Sequence, residues 1–147
     1  MSLRTGHIGL NVTDLDRSLA FYRDVLGFQV LAEGKEDGRR YAFLGEGPSP
    51  VVTLWQQAQG AYDPGHAGLH HLALEVDTAE QVREYETALR GYGVEFAYEG
   101  VVAHREGSAS GGIFFHDPDG TRLEISAPRG AEGAPAPHAS APTCGFF

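Results

Sequence analysis

The sequence predicts an α+β fold made of two paired βαβββ modules, and three observations predict it. The stretch Gly6-His7-Ile8-Gly9-Leu10-Asn11-Val12 returns 64 residues later as His70-His71-Leu72-Ala73-Leu74-Glu75-Val76. Each copy is followed by residues that cap and then line an amphipathic helix, and each helix by β-type segments set off by turn residues. One βαβββ unit leaves sheet edges and one sheet face uncovered, and pairing two of them resolves this. The apolar faces take the helices, while the opposite faces curl toward each other and line a cleft.

In the first copy, alternation places Ile8, Leu10 and Val12 on one face and His7, Gly9 and Asn11 on the other. Thr13-Asp14-Leu15-Asp16 offers capping side chains, and Leu15, Leu19, Tyr22 and Leu26 follow at helical spacings of 4, 3 and 4. Gly27 serves as the C-terminal cap and Phe28 to Leu31 opens the next strand. The charged, glycine-bearing stretch 33–38 predicts a hairpin turn before strand 40–44, and a second turn over 45–50 leads to strand 51–55. Gly60, Pro64, Gly65 and Gly68 mark the linker.

The second copy repeats the order. Thr78-Ala79-Glu80-Gln81 matches a capping box, and Val82, Tyr85 and Leu89 supply the buried stripe of a helix stopped by Gly91 and Gly93. Strands are predicted over 94–98 and 113–116, flanking a Gly/Ser-rich loop over 107–112. Asp117-Pro118-Asp119-Gly120 is a turn signal before the strand 121–126. The modules so defined are 5–56 and 69–127, joined by linker 57–68 within a domain 1–127. Residues 128–147 are mostly Ala, Pro, Gly and Ser, with half of the eight prolines. Such a composition predicts a tail without a core of its own, which Phe146 and Phe147 could pin to a surface.

Eleven basic against twenty acidic residues, a net charge of −9, speak against nucleic acid or anionic membranes as partners. No apolar run approaches the ~18 residues of a membrane helix. No secretory pattern precedes the first strand, so a cytoplasmic protein is expected. The single cysteine, Cys144, excludes an intramolecular disulfide and a cysteine-built metal cage, and reads as an incidental exposed thiol.

Chemistry concentrates in His7, His71 and Glu124. Glu124 stands opposite Leu123 and Ile125 on its strand, so all three lie on non-core faces. Alone, each histidine reads as a hydrogen-bonded sheet residue. Their equivalence in a duplicated unit raises the metal-binding alternative. Two imidazoles and one carboxylate leave about three open positions on an octahedral ion, the arrangement of non-haem iron. Zinc, nickel and manganese accept the same ligands, and the lack of thiolates tilts the choice away from structural zinc. His104 and His116 lie near Glu124 in sequence, and His104 is the candidate acid or base. His70 points to the opposite face from His71, where packing is the simpler role. Trp55, Thr53 and Tyr41, with Phe43, are the candidate substrate-contacting residues of the first module. No phosphate-binding glycine motif and no nucleophile elbow is present.

Taken together, His7-Ile-Gly-Leu-Asn-Val, Asp14-Leu-Asp-Arg-Ser-Leu-Ala-Phe-Tyr, Leu26-Gly27-Phe28, His71-Leu-Ala-Leu and Phe115-His-Asp-Pro-Asp-Gly-Thr-Arg-Leu-Glu124 resemble the vicinal oxygen chelate superfamily over Thr5 to Ala127. That superfamily includes glyoxalase I, extradiol dioxygenases, fosfomycin-resistance transferases and bleomycin-binding proteins. The resemblance implies a U-shaped site with His7, His71 and Glu124 as ligands of a divalent ion, Fe(II) first and Mn, Zn or Ni after it. It also implies chelation of a small-molecule substrate through neighbouring oxygens, and a homodimer in which modules pair within one chain or swap between two.

Glyoxalase I enzymes carry a further carboxylate on the last strand of the first module, where this sequence has Thr53. The three-ligand set is similar instead to extradiol dioxygenases and fosfomycin-resistance transferases. Val102-Ala103-His104 loosely resembles the dioxygenase histidine element, although Phe114 stands where tyrosine is usual and the loop from His104 to Ile113 is longer. Ring-cleaving dioxygenase chemistry is therefore the expectation. A glyoxalase-like lyase, a thiol transferase and a non-catalytic antibiotic-binding protein are the alternatives.

Overall fold

In a computed structural model describing residues 1–145 and 147, the two copies of the repeat become strand β1, Ile8–Val12, and strand β5, Leu72–Glu75. They belong to separate units, Met1–Tyr62 and Asp63–Phe147. No helix among the described residues is long and apolar enough to cross a membrane.

In the first unit the Asp14 side chain accepts the Arg17 amide at 3.0 Å and starts helix α1, Leu15–Leu19, which continues as a π-helix over Ala20–Val25. Leu15, Leu19, Tyr22 and Leu26 are buried as their spacing predicts, and Phe21 joins them. Gly27 then takes φ 82°, a conformation open to a residue without Cβ. Strand β2, Gln29–Glu36, runs five residues past its expected end. It is the edge of its sheet, where charged side chains reach solvent and discourage further pairing. The hairpin turn is correspondingly tighter than the six residues expected. Asp37 and Gly38 have φ 50° and 78°, the two positive values of a type I′ turn. Strands β3, Arg39–Gly45, and β4, Pro50–Gln56, complete a sheet ordered β1-β4-β3-β2.

The second unit repeats this plan. Thr78 and Gln81 form the predicted capping box on helix α2, Ala79–Tyr92, with Gln81 N donating to Thr78 Oγ1 at 3.2 Å. Gly93 closes the helix at φ 86°. The strand expected over 94–98 does not form as such. That segment makes a single bridge, Phe96 to Phe115, with the Ala97 amide donating to Phe114 O at 2.8 Å. The edge strand is instead the short β6, Val102–Ala103, followed by β7, Gly111–His116, and β8, Arg122–Ala127, in the order β5-β8-β7-β6. Asp117 builds the turn before β8, its Oδ1 accepting the amides of Asp119 and Thr121 at 2.9 Å each.

The two sheets share a register. β1 runs parallel to β4 with Gly9 opposite Thr53 and Leu10 opposite Leu54. β5 runs parallel to β8 with Ala73 opposite Glu124 and Leu74 opposite Ile125. The fold is the expected α+β arrangement of two βαβββ modules.

Residues 128–147 have few apolar side chains, yet they are tied to the second unit. The Ala131 amide donates to Ala109 O and the Ala103 amide to Pro135 O, both at 2.9 Å, so the segment occupies the free edge of β6. A Cβ on Gly111 would stand 2.6 Å from Ala131 Cβ, so the glycine makes room for the segment. Of the two terminal phenylalanines expected to pin it, Phe147 lies 4.9 Å from Phe114, centroid to centroid, and Phe146 lies outside the described residues.

Candidate metal centre in the second unit

Glu124 sits in the middle of β8 and is only 3% exposed. Its neighbours on the strand, Leu123 and Ile125, point into the core, so the carboxylate occupies the other face beside Phe114, its register partner on β7. A carboxylate removed from water needs partners. His104, just past β6, holds Glu124 Oε1 through Nε2 in a short hydrogen bond. The other His104 nitrogen, Nδ1, meets Ser110 Oγ at 2.8 Å, and Ser110 meets Ser108 Oγ at 3.0 Å. The Ser110 hydroxyl donating to Nδ1 leaves the Nε2 proton for Glu124, so the chain of serines fixes the imidazole that grips the acid.

The second carboxylate oxygen, Oε2, faces His71 Nε2 at 3.5 Å. This is loose for a hydrogen bond. It matches the separation of two ligands on one ion, about 3.0 Å at right angles and 3.4 Å at the tetrahedral angle for bonds of ~2.1 Å. His71 Nδ1 lies 2.9 Å from His70 Nδ1. With His71 donating, Nε2 keeps its lone pair on the Glu124 side, as in metal-binding imidazoles whose other nitrogen is hydrogen-bonded. Burial holds the His71 pKa below the usual imidazole range, against the upward pull of Glu124, and so favours the neutral form that binds metal. His70 is thus not merely packed on the far face: its ring centroid is 5.1 Å from that of His71.

A third donor arrives from the C-terminal segment. Ligand atoms of His71, Glu124 and Cys144 all lie within 4.8 Å of one another. Cys144 is half-buried, not the incidental exposed thiol the sequence suggests, and burial, followed by the nearby Glu124, pushes its thiol pKa up. This donor set of imidazole, carboxylate and thiol fits a divalent transition metal.

Thr53, Tyr41 and Trp55 come together in the first unit. Trp55 Nε1 donates to Thr53 Oγ1 at 2.9 Å, and the Trp55 ring stacks on Tyr41 at 5.3 Å with 30° between planes. Phe43 stands edge-on to Trp55 at 5.9 Å. Gly34 is where Tyr41 crosses β2, since a Cβ there would lie 2.3 Å from the phenol oxygen. Glu36, Arg39 and Gln57 complete a 310 Å³ depression around these rings. His7 immediately precedes β1 and is exposed on its unit. Of the sequence-derived candidates, the second unit brings together His71, Glu124 and His104. His116 lies at the end of β7, its Nδ1 3.4 Å from Glu95 O.

Sequence reasoning missed the place of Cys144 in this cluster and the pair Ser108 and Ser110. The serines fall in a stretch whose composition marked only a Gly/Ser-rich loop. Cys144 lies 20 residues beyond Glu124 in a segment without periodicity, so no spacing rule linked them.

Comparison with known proteins agrees with this architecture. The family described as the Glyoxalase/Bleomycin resistance protein/Dioxygenase superfamily matches residues 4–125. The chain is 35% identical over 133 residues to a lactoylglutathione lyase of Salmonella typhimurium, covering 84% of this chain and 91% of that protein. It is 30% identical over 131 residues to a catechol-2,3-dioxygenase of Bacillus subtilis, covering 84% of this chain but 41% of the relative. Among solved structures, a glyoxylase/bleomycin resistance protein/dioxygenase domain from Frankia superposes with a TM-score of 0.75 at 23% identity, covering 88% of this chain and 100% of that one, a likeness of fold. The chain belongs to the Glyoxalase/Bleomycin resistance protein/Dioxygenase superfamily.

Proposed function

We propose that this protein is a divalent-metal-dependent enzyme that chelates a small substrate through two neighbouring oxygens, with chemistry of the extradiol dioxygenase kind. One observation carries the reading. Glu124 is buried between His71 and His104, while Thr53 holds the same register position in the first unit and its hydroxyl is engaged by Trp55. A neutral hydroxyl at that position is a poor substitute for the further carboxylate expected of a glyoxalase I.

In this reading His71 and Glu124 hold the ion and His7 is the second imidazole, supplied by the same chain or by a second copy in a homodimer. Fe(II) is the first choice of metal. The bound ion would polarise paired substrate oxygens as a Lewis acid and, as iron, add redox capacity. His104 has two tasks. It orients Glu124 so that Oε2 faces His71, and its Nε2 is the proton carrier next to the ligand set. Trp55, Tyr41 and Phe43 offer faces for an aromatic substrate.

A lyase is the second reading, favoured by the 35% identity that spans most of the Salmonella lactoylglutathione lyase. Anaerobic loading with Fe(II), then addition of oxygen and a panel of catechols, is expected to give yellow ring-opened products. Turnover of lactoylglutathione by the metal-loaded protein, with no ring opening, selects the lyase. Substoichiometric metal after reconstitution, together with tight binding of an aromatic ligand, would replace both with a sequestering protein.

A further inference from the structure

The composition of the C-terminal segment predicts a tail without a core of its own, yet the segment delivers its one thiol to the acid of the second unit. We propose that Cys144 is a ligand of the cation held by His71 and Glu124, so that the segment closes the centre with a thiolate; this rests on the metal reading above.

The approach is built by residues on both sides of the cysteine. Thr143 is fully buried. Its Oγ1 donates to Ala103 O at 2.5 Å, its amide donates to His104 O at 3.0 Å, and its carbonyl accepts from the Tyr98 hydroxyl at 3.2 Å. These three bonds fix the backbone one residue before Cys144 against β6 and His104. A short 3₁₀ turn over Thr143–Gly145 carries the chain on, with the Gly145 amide donating to Pro142 O at 3.1 Å. Phe147 then packs 4.9 Å from Phe114 and 5.7 Å from His71, with Arg122 5.9 Å from its centroid. Cys144 is therefore held between two anchors.

The donors are close enough to converge. Bonds of ~2.3 Å to sulfur and ~2.0 Å to nitrogen set neighbouring donors about 3.5 Å apart at the tetrahedral angle. A set already within 4.8 Å needs closure by no more than about 1.3 Å to meet on one ion. A thiolate also changes the preference of the site. Imidazole and carboxylate alone accept manganese, whereas adding a soft sulfur draws it toward zinc, iron and cobalt. Finally, of the about three positions that two imidazoles and a carboxylate leave open, the thiolate takes one, so a chelating substrate fills the rest and a further ligand such as dioxygen competes with the thiolate.

The chain contains one cysteine, so any thiol signal reports on Cys144 alone. The test is reconstitution of the full chain with Co(II), comparing wild type with Cys144→Ser and Cys144→Ala. Wild type is expected to show an intense near-ultraviolet thiolate-to-cobalt charge-transfer band that both variants lack. Their Co(II) affinity should fall by no less than about tenfold, the lower end of what losing a supporting partner costs. Co(II) should also slow alkylation of Cys144 in the wild type. Co(II) binding with equal affinity in all three proteins and no charge-transfer band overturns the thiolate proposal and leaves His71 and Glu124 as ligands. Failure of the wild type to bind Co(II) or Zn(II) at all overturns both. Unfolding midpoints of the metal-free proteins that agree show that the variants fold alike.

Discussion

Strands β4 and β8 hold the same place in their respective sheets, yet one presents Thr53 and the other Glu124 at the matching register position. The residues on either side are interchangeable in kind. Val52 and Leu54 flank the threonine, Leu123 and Ile125 flank the acid, and all four are buried. The apolar face of each strand is fixed by the helix packed on it, because a one-residue slip would turn every core side chain outward. The other face is under no such constraint and has diverged, becoming a cluster of stacked rings in the first unit and a cluster of ionisable donors in the second. Duplication preserved the frame and left the chemistry free to differ.

The widest separation between the two faces lies in metal binding. Glu124→Gln keeps the shape and removes the negative oxygen that faces His71. Binding of Zn(II) or Co(II), measured by titration calorimetry, should weaken at least 100-fold, beyond the ~10- to 100-fold cost of losing a mere supporting partner. Thr53→Val should leave that affinity within about twofold, since its hydroxyl is taken by Trp55. Equal losses in the two variants would show that both strands feed one ligand set and would erase the proposed asymmetry.

The core faces should behave alike. Leu54 and Ile125 occupy equivalent positions and are 0% and 2% exposed. Truncation of either to alanine removes buried methylenes and leaves a cavity, costing about 2–5 kcal/mol. Urea unfolding of Leu54→Ala and Ile125→Ala reads this directly. A loss under 1 kcal/mol in one and several in the other would mean that the two helix-covered faces are not packed to the same standard.

The same contrast explains what could be read before the structure was in hand. Apolar alternation, helix spacing, capping residues and glycine stops are local signals, and they placed β1, α1, β5, α2 and the Asp117 turn. His71 stood out because the repeat pairs it with His7, and Glu124 because it stands opposite the apolar pair Leu123 and Ile125 on its strand. What escaped depends on contacts distant in sequence. The segment 94–98 has β-type residues but makes only one bridge, to Phe115 on β7, an edge it shares with β6, while the far edge of β6 is taken by Pro135. Cys144 acquires its neighbours through the anchoring of Thr143, a property no composition of Ala, Pro and Ser announces.

A smaller effect tests the ring cluster. In Thr53→Val the Trp55 Nε1 loses its acceptor in a part-buried position. An unsatisfied donor of this kind costs about 1 kcal/mol, reduced to the extent that water reaches it. The urea midpoint should fall accordingly, and near-ultraviolet circular dichroism should report a looser Trp55 and Tyr41 stack. An unchanged spectrum would mean that the rings hold themselves together without the hydroxyl.

The smallest effect is in the pH dependence of stability, and it separates the units again. Burial is the leading cause that depresses His71 below the ordinary imidazole value of 6.5, so the folded state resists its protonation more than the unfolded chain does. A depressed folded value means that the stabilisation is complete above about 6.5 and is lost as pH falls through the lower folded value. His71 is part exposed, which screens the effect to under about 1 kcal/mol. The metal-free protein should therefore lose stability on acidification below pH ~6.5 more steeply than His71→Gln does. Thr53→Val, which changes a residue that does not titrate, should keep the wild-type slope. If His71→Gln and wild type fall in parallel, another group carries the acid sensitivity and His71 is not held neutral by its burial.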